Sequence, residues 1–472
     1  MLTFNQIIRS KEMKSRVPFF SGKLSSGIKQ GQTLLIIIMT GILITIFNSQ
    51  NFAIPSFARQ TNLSCNYCHY TFPALNSFGR MFKLNGYTMN NTETIEAVSP
   101  DSNRTTLKLL NSLPLSAMVM TSFSSVNKPQ PGTESSFAQL PQQISFFLSG
   151  EITPHFGTYL QFTYDPSGGT FGLDMVDLRY ANHTSLGSND LLYGFTLNNN
   201  PSMQDVWNTT PIWSFPYASS GAAPSPSAST LLQSAPGNEA GLGVYGLYDK
   251  LLYAEISLYH SAPQGAAYPP DSTWAGNIKG VSPYWRVALQ HQWTSQYLEI
   301  GTFGLSQEIY PMGISGLTNK FTDIGFDAQY ENSLDNGGTI ILHTSYITEK
   351  QNLDATFNAG ASANSSNTLN SFKIDAAYNF PDFAELSAGF FSTSGSSDAV
   401  IYAPNPVTGS NSSTPNSSGE VLQLTFIPWL NTQFALQYTM YNQFNGGSTN
   451  YDGSGRNASD NNTMYFLAWF VF

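Results

Sequence analysis

From residue 113 to its end the chain repeats one pattern: short segments in which apolar and polar residues alternate, joined by connections of very unequal length. In Gln142–Thr153, Ile144, Phe146, Leu148 and Gly150 share one face, and Gln143, Ser145, Ser149 and Glu151 share the other. Leu251–His260 sets Leu252, Ala254, Ile256 and Leu258 against Tyr253, Glu255, Ser257 and Tyr259. In Leu369–Phe380, Phe372, Ile374, Ala376 and Tyr378 oppose Lys373, Asp375 and Ala377. A period of two with one apolar face is the pattern of a β-strand. Sixteen such segments begin near 113, 142, 156, 173, 190, 241, 251, 282, 296, 321, 338, 369, 383, 418, 432 and 461. Alternation alone also fits a soluble sandwich, so the connections decide. Short ones fall at Pro154-His155, Asp249-Lys250, Thr294-Ser295, Asp335-Asn336, Pro381-Asp382 and Asn431. Between them lie long Gly/Ser/Asn/Pro-rich stretches at 199–240, 261–281, 353–368, 395–417 and 446–460. An even strand number with short turns at one end and long loops at the other predicts a mainly β fold, a 16-stranded antiparallel transmembrane β-barrel. The last strand, Met464–Phe472, puts Phe472, Phe470, Ala468, Phe466 and Met464 on its apolar face and ends on an aromatic residue. That ending resembles the signal by which bacterial outer-membrane barrels are inserted.

The start of the chain reads as an export leader. Residues 1–32 carry Arg9, Lys11, Lys14, Arg16, Lys23 and Lys29 against the single acid Glu12. An apolar run from Leu34 to Phe47 follows, interrupted only by Thr40, Gly41 and Thr45. It suits a signal-peptide core and falls short of the roughly 20 residues of a spanning helix. Residues 1–53 are therefore read as a signal peptide cleaved after Ala53, with an uncleaved anchor as the other possibility. The remainder carries 14 basic residues against 29 acidic ones, a surface that repels nucleic acid. No hydrolase constellation, phosphate loop or nucleic-acid module stands out.

Between leader and barrel lie the only two cysteines of the chain, in Cys65-Asn66-Tyr67-Cys68-His69. This spacing is that of a c-type haem attachment site. Two thiols add to the two vinyl groups of one porphyrin, and the adjacent imidazole becomes an axial ligand of the iron. A disulfide closing so short a loop would not require the histidine. A zinc site needs a second ligand pair, and none stands at a suitable spacing. A thioredoxin-like pair needs a surrounding βαβ pattern, which is absent. Leu75, Phe78 and Phe82 fall at helical spacing and predict a short helix over one haem face. Arg59, Arg80 and Lys83 suit either the haem propionates or a contact with the barrel. For the sixth iron ligand the candidates are Met81 and Met89, near the haem motif, and Met118 and Met120, inward-facing on the first strand beside Ser116 and Ser122, with Ala117, Val119 and Phe123 outward. His343 is a further lumen candidate, and His155 sits in a short turn. Glu151, Asp165, Asp177, Glu255, Glu299, Asp327 and Glu385 recur on inward faces, where Arg179, Arg286 and Lys373 are available to pair with them. Residues 54–112 are too few for an ordinary globular cytochrome and suit a small α/coil plug inside the barrel of residues 113–472.

The run Pro55-Ser56-Phe57-Ala58-Arg59-Gln60-Thr61, the Cys65-x-x-Cys68-His69 motif, Phe72-Pro73, and Phe78-Gly79-Arg80-Met81-Phe82-Lys83-Leu84-Asn85-Gly86-Tyr87 together resemble the fused monohaem cytochrome c–porin family of outer membranes. Asn198-Asn199-Asn200-Pro201 through Asp205-Val206-Trp207-Asn208, with Pro211, Trp213 and Pro283-Tyr284-Trp285-Arg286, are similar to the same family. The resemblance covers residues 54–472. It implies one covalently attached haem c and an outer-membrane cytochrome that oxidises extracellular iron(II). The electron would pass through the lumenal haem to a periplasmic cytochrome c or other electron carrier. The long loops would be extracellular and the strands would face outer-membrane lipid. The rival expectations are a diffusion porin whose haem segment is structural or senses redox state, and an outward-directed iron or mineral reductase. Replacing Cys65 and Cys68 together with alanine is expected to abolish haem staining on denaturing gels, because each thiol makes one of the two links. Staining that survives in the double variant overturns the haem reading.

Overall fold

A computed structural model describes residues 55–89, 94–97 and 107–472, apart from 167, 235–238, 263–268 and 382. The expected signal peptide and its cleavage point lie outside the described residues. Sixteen strands form the barrel: β1 (Leu115–Val126), β2 (Ser136–Thr153), β3 (Phe156–Asp165), β4 (Thr170–Leu186), β5 (Asn189–Asn198), β6 (Glu239–Tyr248), β7 (Leu252–Ser261) and β8 (Ser282–Gln292). They continue as β9 (Gln296–Tyr310), β10 (Asn319–Ser333), β11 (Thr339–Asn352), β12 (Ser366–Phe380), β13 (Ala384–Gly395), β14 (Ser417–Trp429), β15 (Thr432–Gln443) and β16 (Thr463–Val471). Each pairs antiparallel with the next, and β16 returns to β1 through pairs such as Trp469↔Met120 and Val471↔Met118. The sheet is therefore closed. A two-residue strand, Asn277–Ile278, adds to β9, and Thr94–Ala97 pairs with Leu107–Leu110 as a separate hairpin.

Closure explains why only one face of each strand needs to be apolar. On β7 the outward Ile256 is 52% exposed while the inward Tyr259 is fully buried, as the alternation predicts. Among the described residues no helix is long and apolar enough to cross a membrane. The strand starts agree with the sequence pattern except for β2, which begins at Ser136, before the expected 142. Pro141 lacks an N–H and reads as a strand breaker. The structure absorbs it in a bulge: Met120 pairs with Gln143 and Ser122 with Gln139, so Leu140–Gln142 lie opposite Thr121 alone.

All seven connections at one end, from Pro154-His155 to Leu430-Asn431, are two to five residues long, and β1 starts and β16 finishes at that end. The other end carries the long connections. One of them departs from expectation. The 199–240 segment was expected as an external loop, but its described part, 199–234, folds back into the lumen, and Ser202–Thr210 are buried there. The reason is a set of contacts the composition does not reveal. The Asp205 carboxylate accepts from the N–H groups of Trp207, Thr209 and Thr210 at 2.8, 3.0 and 2.9 Å. The Trp207 indole donates to Tyr297 on the wall at 2.7 Å.

Several inward-facing charges are paired with one another. Arg286 meets Asp205 at 3.5 Å, Glu299 at 3.3 Å and Asp327 more closely still, and its guanidinium lies 4.4 Å over the Trp207 ring. Arg179 pairs with Asp177 at 2.7 Å. Lys373, by contrast, donates to Ser214 rather than to an acid. Asp177, Glu255, Glu299, Asp327 and Glu385 are buried as the inward pattern requires, and Glu151 is half-buried. Asp165 is the exception: it ends β3 and is exposed, because the wall stops there. Removing Arg286 leaves three buried carboxylates without their cation. Arg286→Ala is expected to destabilise the barrel by about 3–5 kcal/mol, seen as loss of heat-modifiable gel migration at a lower temperature than in the wild type.

Candidate functional site

Residues 55–89 fold as a plug anchored on the barrel wall and on the lumen loop. Helix α1 (Ser56–Thr61) is held to β2, where Ser56 Oγ and Gln60 Nε2 both donate to the Ser149 carbonyl, at 2.5 and 2.8 Å. Helix α2 (Ser77–Leu84) starts at Asn76, whose side chain accepts from the Gly79 N–H at 3.0 Å. Its end is tied down by Tyr245, which donates to the Leu84 carbonyl at 2.7 Å, and by Tyr87, which donates to Asp177 at 2.7 Å. The following turn presses so closely on β3 that a Cβ at Gly157 would sit 2.1 Å from the Gly86 carbonyl oxygen. Only glycine fits there.

The haem-type motif forms a tight turn between the two helices. The N–H groups of Cys68 and His69 both donate to the Cys65 carbonyl, at 3.1 and 3.0 Å. Helix α2 lies directly on this turn: a Cβ at Gly79 would come 2.2 Å from the Cys68 oxygen. Cys65, Cys68 and His69 thereby line one apolar cavity of about 1310 Å³, part of it open toward solvent. Leu75, Phe78 and Phe82 line the same cavity, although the helix itself starts after Leu75. From the wall come Met118, Phe147 and Trp469, and from the lumen loop Asp205, Asn208 and Trp213. The loop is docked on the plug, with the Leu75 N–H donating to Asn208 at 2.9 Å.

The chemistry of these groups fits a covalent haem. His69 Nδ1 lies 3.2 Å from the Pro73 carbonyl. With its N–H directed there, Nε2 keeps a lone pair for a metal. Burial pushes this imidazole down to about 4, so it is the neutral, ligating form at ordinary pH. The two cysteines are not joined in a disulfide; burial, then the neighbouring Cys65, pushes the Cys68 thiol up to about 11. Apolar walls on both sides of the motif suit a flat macrocycle.

The sequence candidates separate cleanly. Of the four methionines only Met118 lines the cavity. Met81 packs against the cluster around Trp207 and Tyr245, and Met120 packs beside Trp469 one strand repeat further on, roughly 7 Å along β1. Met89, close to the end of the plug, does not line it. His343 is engaged elsewhere in the lumen by Asp375 at 2.8 Å, and His155 is exposed. Lys83 lines the cavity, with its ammonium donating to the Asp205 carbonyl at 2.9 Å and lying 4.6 Å over Trp213. Burial, reinforced by the charge of Arg179, pulls Lys83 down to about 7; a carboxylate placed beside it would restore its charge. Arg80 is not on the cavity: it is buried against Glu331 at 2.5 Å and over the Tyr297 ring. Arg59 donates to the Leu113 and Leu115 carbonyls. For these two arginines the structure places the plug–barrel contact first.

Trp469 is a cavity residue that sequence reasoning passed over, and Trp213, named only for the family resemblance, was not read as lining a cavity. Trp469 was legible, since it alternates with the outward Met464, Phe466 and Phe472 on the last strand. Trp213 was not, because nothing in a Pro/Ser-rich loop announces that it turns inward.

No protein-family description and no curated protein matches the chain. Among solved structures it is similar to OmpT lacking loop L8, an outer membrane protein of Vibrio cholerae, at 9% identity over 76% of this chain and 98% of that one, with a TM-score of 0.42. OmpF of Salmonella typhi in complex with daunomycin gives 11% identity, 76% and 97% coverage, and a TM-score of 0.44. The anion-selective porin of Comamonas acidovorans gives 11%, 76% and 98%, and 0.43.

Of the methionine candidates, Met118 alone lines the cavity together with His69. With a haem attached at Cys65 and Cys68, Met118→Ala would be expected to lower its reduction potential markedly and to shift its visible spectrum, whereas Met81→Ala and Met120→Ala would leave both unchanged.

Proposed function

We propose that this chain is an outer-membrane cytochrome fused to a porin-like barrel, which takes electrons from extracellular iron(II) and delivers them to a periplasmic cytochrome c or other electron carrier. The observation that carries the proposal is the placement of Cys65, Cys68 and His69 on an apolar cavity inside a closed, membrane-type barrel. A single haem c bound there supplies a one-electron centre part-way across the membrane. Cys65 and Cys68 would hold it covalently, with His69 and Met118 as the cavity residues that would ligate its iron. Phe78, Phe82 and Trp469 would give it apolar walls. Lys83 supplies the one cavity-lining ammonium for a propionate.

In this reading the long connections face outward and the short turns face the periplasm, where the chain also enters and leaves the barrel. A second cavity of about 1070 Å³ adjoins Cys65 and His69 on the side of the short turns and is bordered by Gly337, Pro381 and Leu430. It gives a periplasmic carrier close approach to the motif. Oxidising iron outside the cell also keeps insoluble iron(III) out of the periplasm.

A diffusion porin with a structural or redox-sensing haem segment is the second reading, favoured by the polar inner wall. The plug and the lumen loop stand across that route. Anaerobic mixing of purified protein with iron(II), followed by stopped-flow absorbance, separates the readings. The conduit reading expects rapid reduction in the wild type and none in His69→Ala, with barrel migration retained in both. Absence of reduction together with ion conductance in planar bilayers selects the porin. A low midpoint potential selects an outward-directed reductase.

A further inference from the structure

Lys83 is a buried cation without a counter-ion on the wall of the large cavity. It is 6% exposed, and its Nζ donates to the Asp205 main-chain carbonyl at 2.9 Å and lies 4.6 Å over the Trp213 ring. Among the described residues no ion pair joins it to a carboxylate. Lys83, Asp205 and Trp213 line the same cavity as Cys65, Cys68 and His69. A buried charge held only by neutral partners is costly.

The charged and titratable groups that face Lys83 are engaged with other partners. On β4, Asp177 and Arg179 pair with each other at 2.7 Å, and Arg179 donates to the Lys83 main-chain carbonyl at 3.3 Å. On the lumen loop, the Asp205 carboxylate faces Arg286 and accepts from three backbone N–H groups. On β7, Glu255 accepts from Tyr253 at 2.9 Å and from Ser257 at 3.0 Å. The Tyr87 phenol donates to Asp177, and that of Tyr245 on β6 to the Leu84 carbonyl. On α2 itself, Arg80 is turned to Glu331. Burial, then the charge of Arg179, pulls the Lys83 amine down to about 7, so its neutral and charged forms are both accessible near neutrality.

A group in that balance responds to any charge that changes in its cavity. One added electron makes the site more negative and favours the ammonium over the amine. Linkage is reciprocal, so a proton on Lys83 raises the affinity for the electron by the same factor. We propose that Lys83 is the proton acceptor coupled to electron uptake in this cavity. One electron arrives from iron(II), which leaves as iron(III), and the Lys83 amine takes one proton from solvent. The proton returns to solvent when the electron passes to the periplasmic carrier. The cavity is partly open toward solvent, which gives the proton a route. The inference rests on the haem reading of Cys65, Cys68 and His69 and adds to it the residue that ties the reduction potential to pH. The potential is then highest at low pH, where Lys83 is charged, and falls as rising pH removes its proton. A haem propionate beside Lys83 moves that window upward and leaves the sign unchanged.

The test is a spectroelectrochemical titration of the full-length haem protein in detergent, from about pH 5 to about pH 10, a range that brackets both forms of such a lysine. Heat-modifiable migration checks that each variant is a folded barrel. The wild-type potential is expected to fall with pH, with a limiting slope of one proton per electron. Lys83→Met is expected to lose that fall and to stay low, meeting the wild-type curve at high pH. Lys83→Arg, which keeps its charge, is expected to lose the fall and stay high. Parallel wild-type and Lys83→Met curves show that Lys83 keeps its proton, and coincident curves show that it does not sense the electron; either overturns the proposal. If Lys83→Met does not fold, Lys83→Arg decides, and a fall equal to that of the wild type overturns it. Absence of haem staining in wild-type protein on a denaturing gel is a separate result, which overturns the haem reading and this inference with it.

Discussion

Backbone N–H and C=O groups have no water to bond with inside hydrocarbon, so a sheet that crosses a membrane must close on itself. Here the closure is the β16–β1 seam, from Thr463↔Val126 to Val471↔Met118. Everything else follows from it. A closed sheet has an outside that meets lipid and an inside shared by residues from all sixteen strands. Side chains far apart in sequence then meet across the lumen, as Arg80 meets Glu331 and Tyr87 meets Asp177.

The interior is consequently organised in the opposite sense to a soluble core. Apolar side chains go outward, and the lumen is a largely polar space occupied by the plug and the 199–234 loop. Charges in such a space need partners. Arg286 shows how this is met: one guanidinium serves Asp205, Glu299 and Asp327 and stacks on Trp207. The loop is drawn inward because it contributes Asp205 and Trp207 to that arrangement. Asp323 and Glu349 are the contrasting case, two acids bonded to each other rather than to a cation.

The plug could not hold its cavity alone. Its two short helices have little apolar surface to bury against each other. The cavity walls are borrowed from β1, β2 and β16 and from the lumen loop, so Cys65, Cys68 and His69 sit in an apolar site that exists only inside this barrel.

Local patterns carried much of this in the sequence. Strand identity, facing and the short turns follow from alternation and spacing, because a strand's side chains take opposite faces whatever its neighbours are. Cys65, Cys68 and His69 stood out for the same reason: they fall within five consecutive residues, a local spacing. The inward course of 199–234, the presence of Met118 rather than Met120 on the cavity, and the pairing of Arg80 with Glu331 were decided only by the closed barrel. Each depends on which groups from distant strands converge in the lumen, and that is set by strand register and barrel closure, long-range constraints with no local signature in the chain.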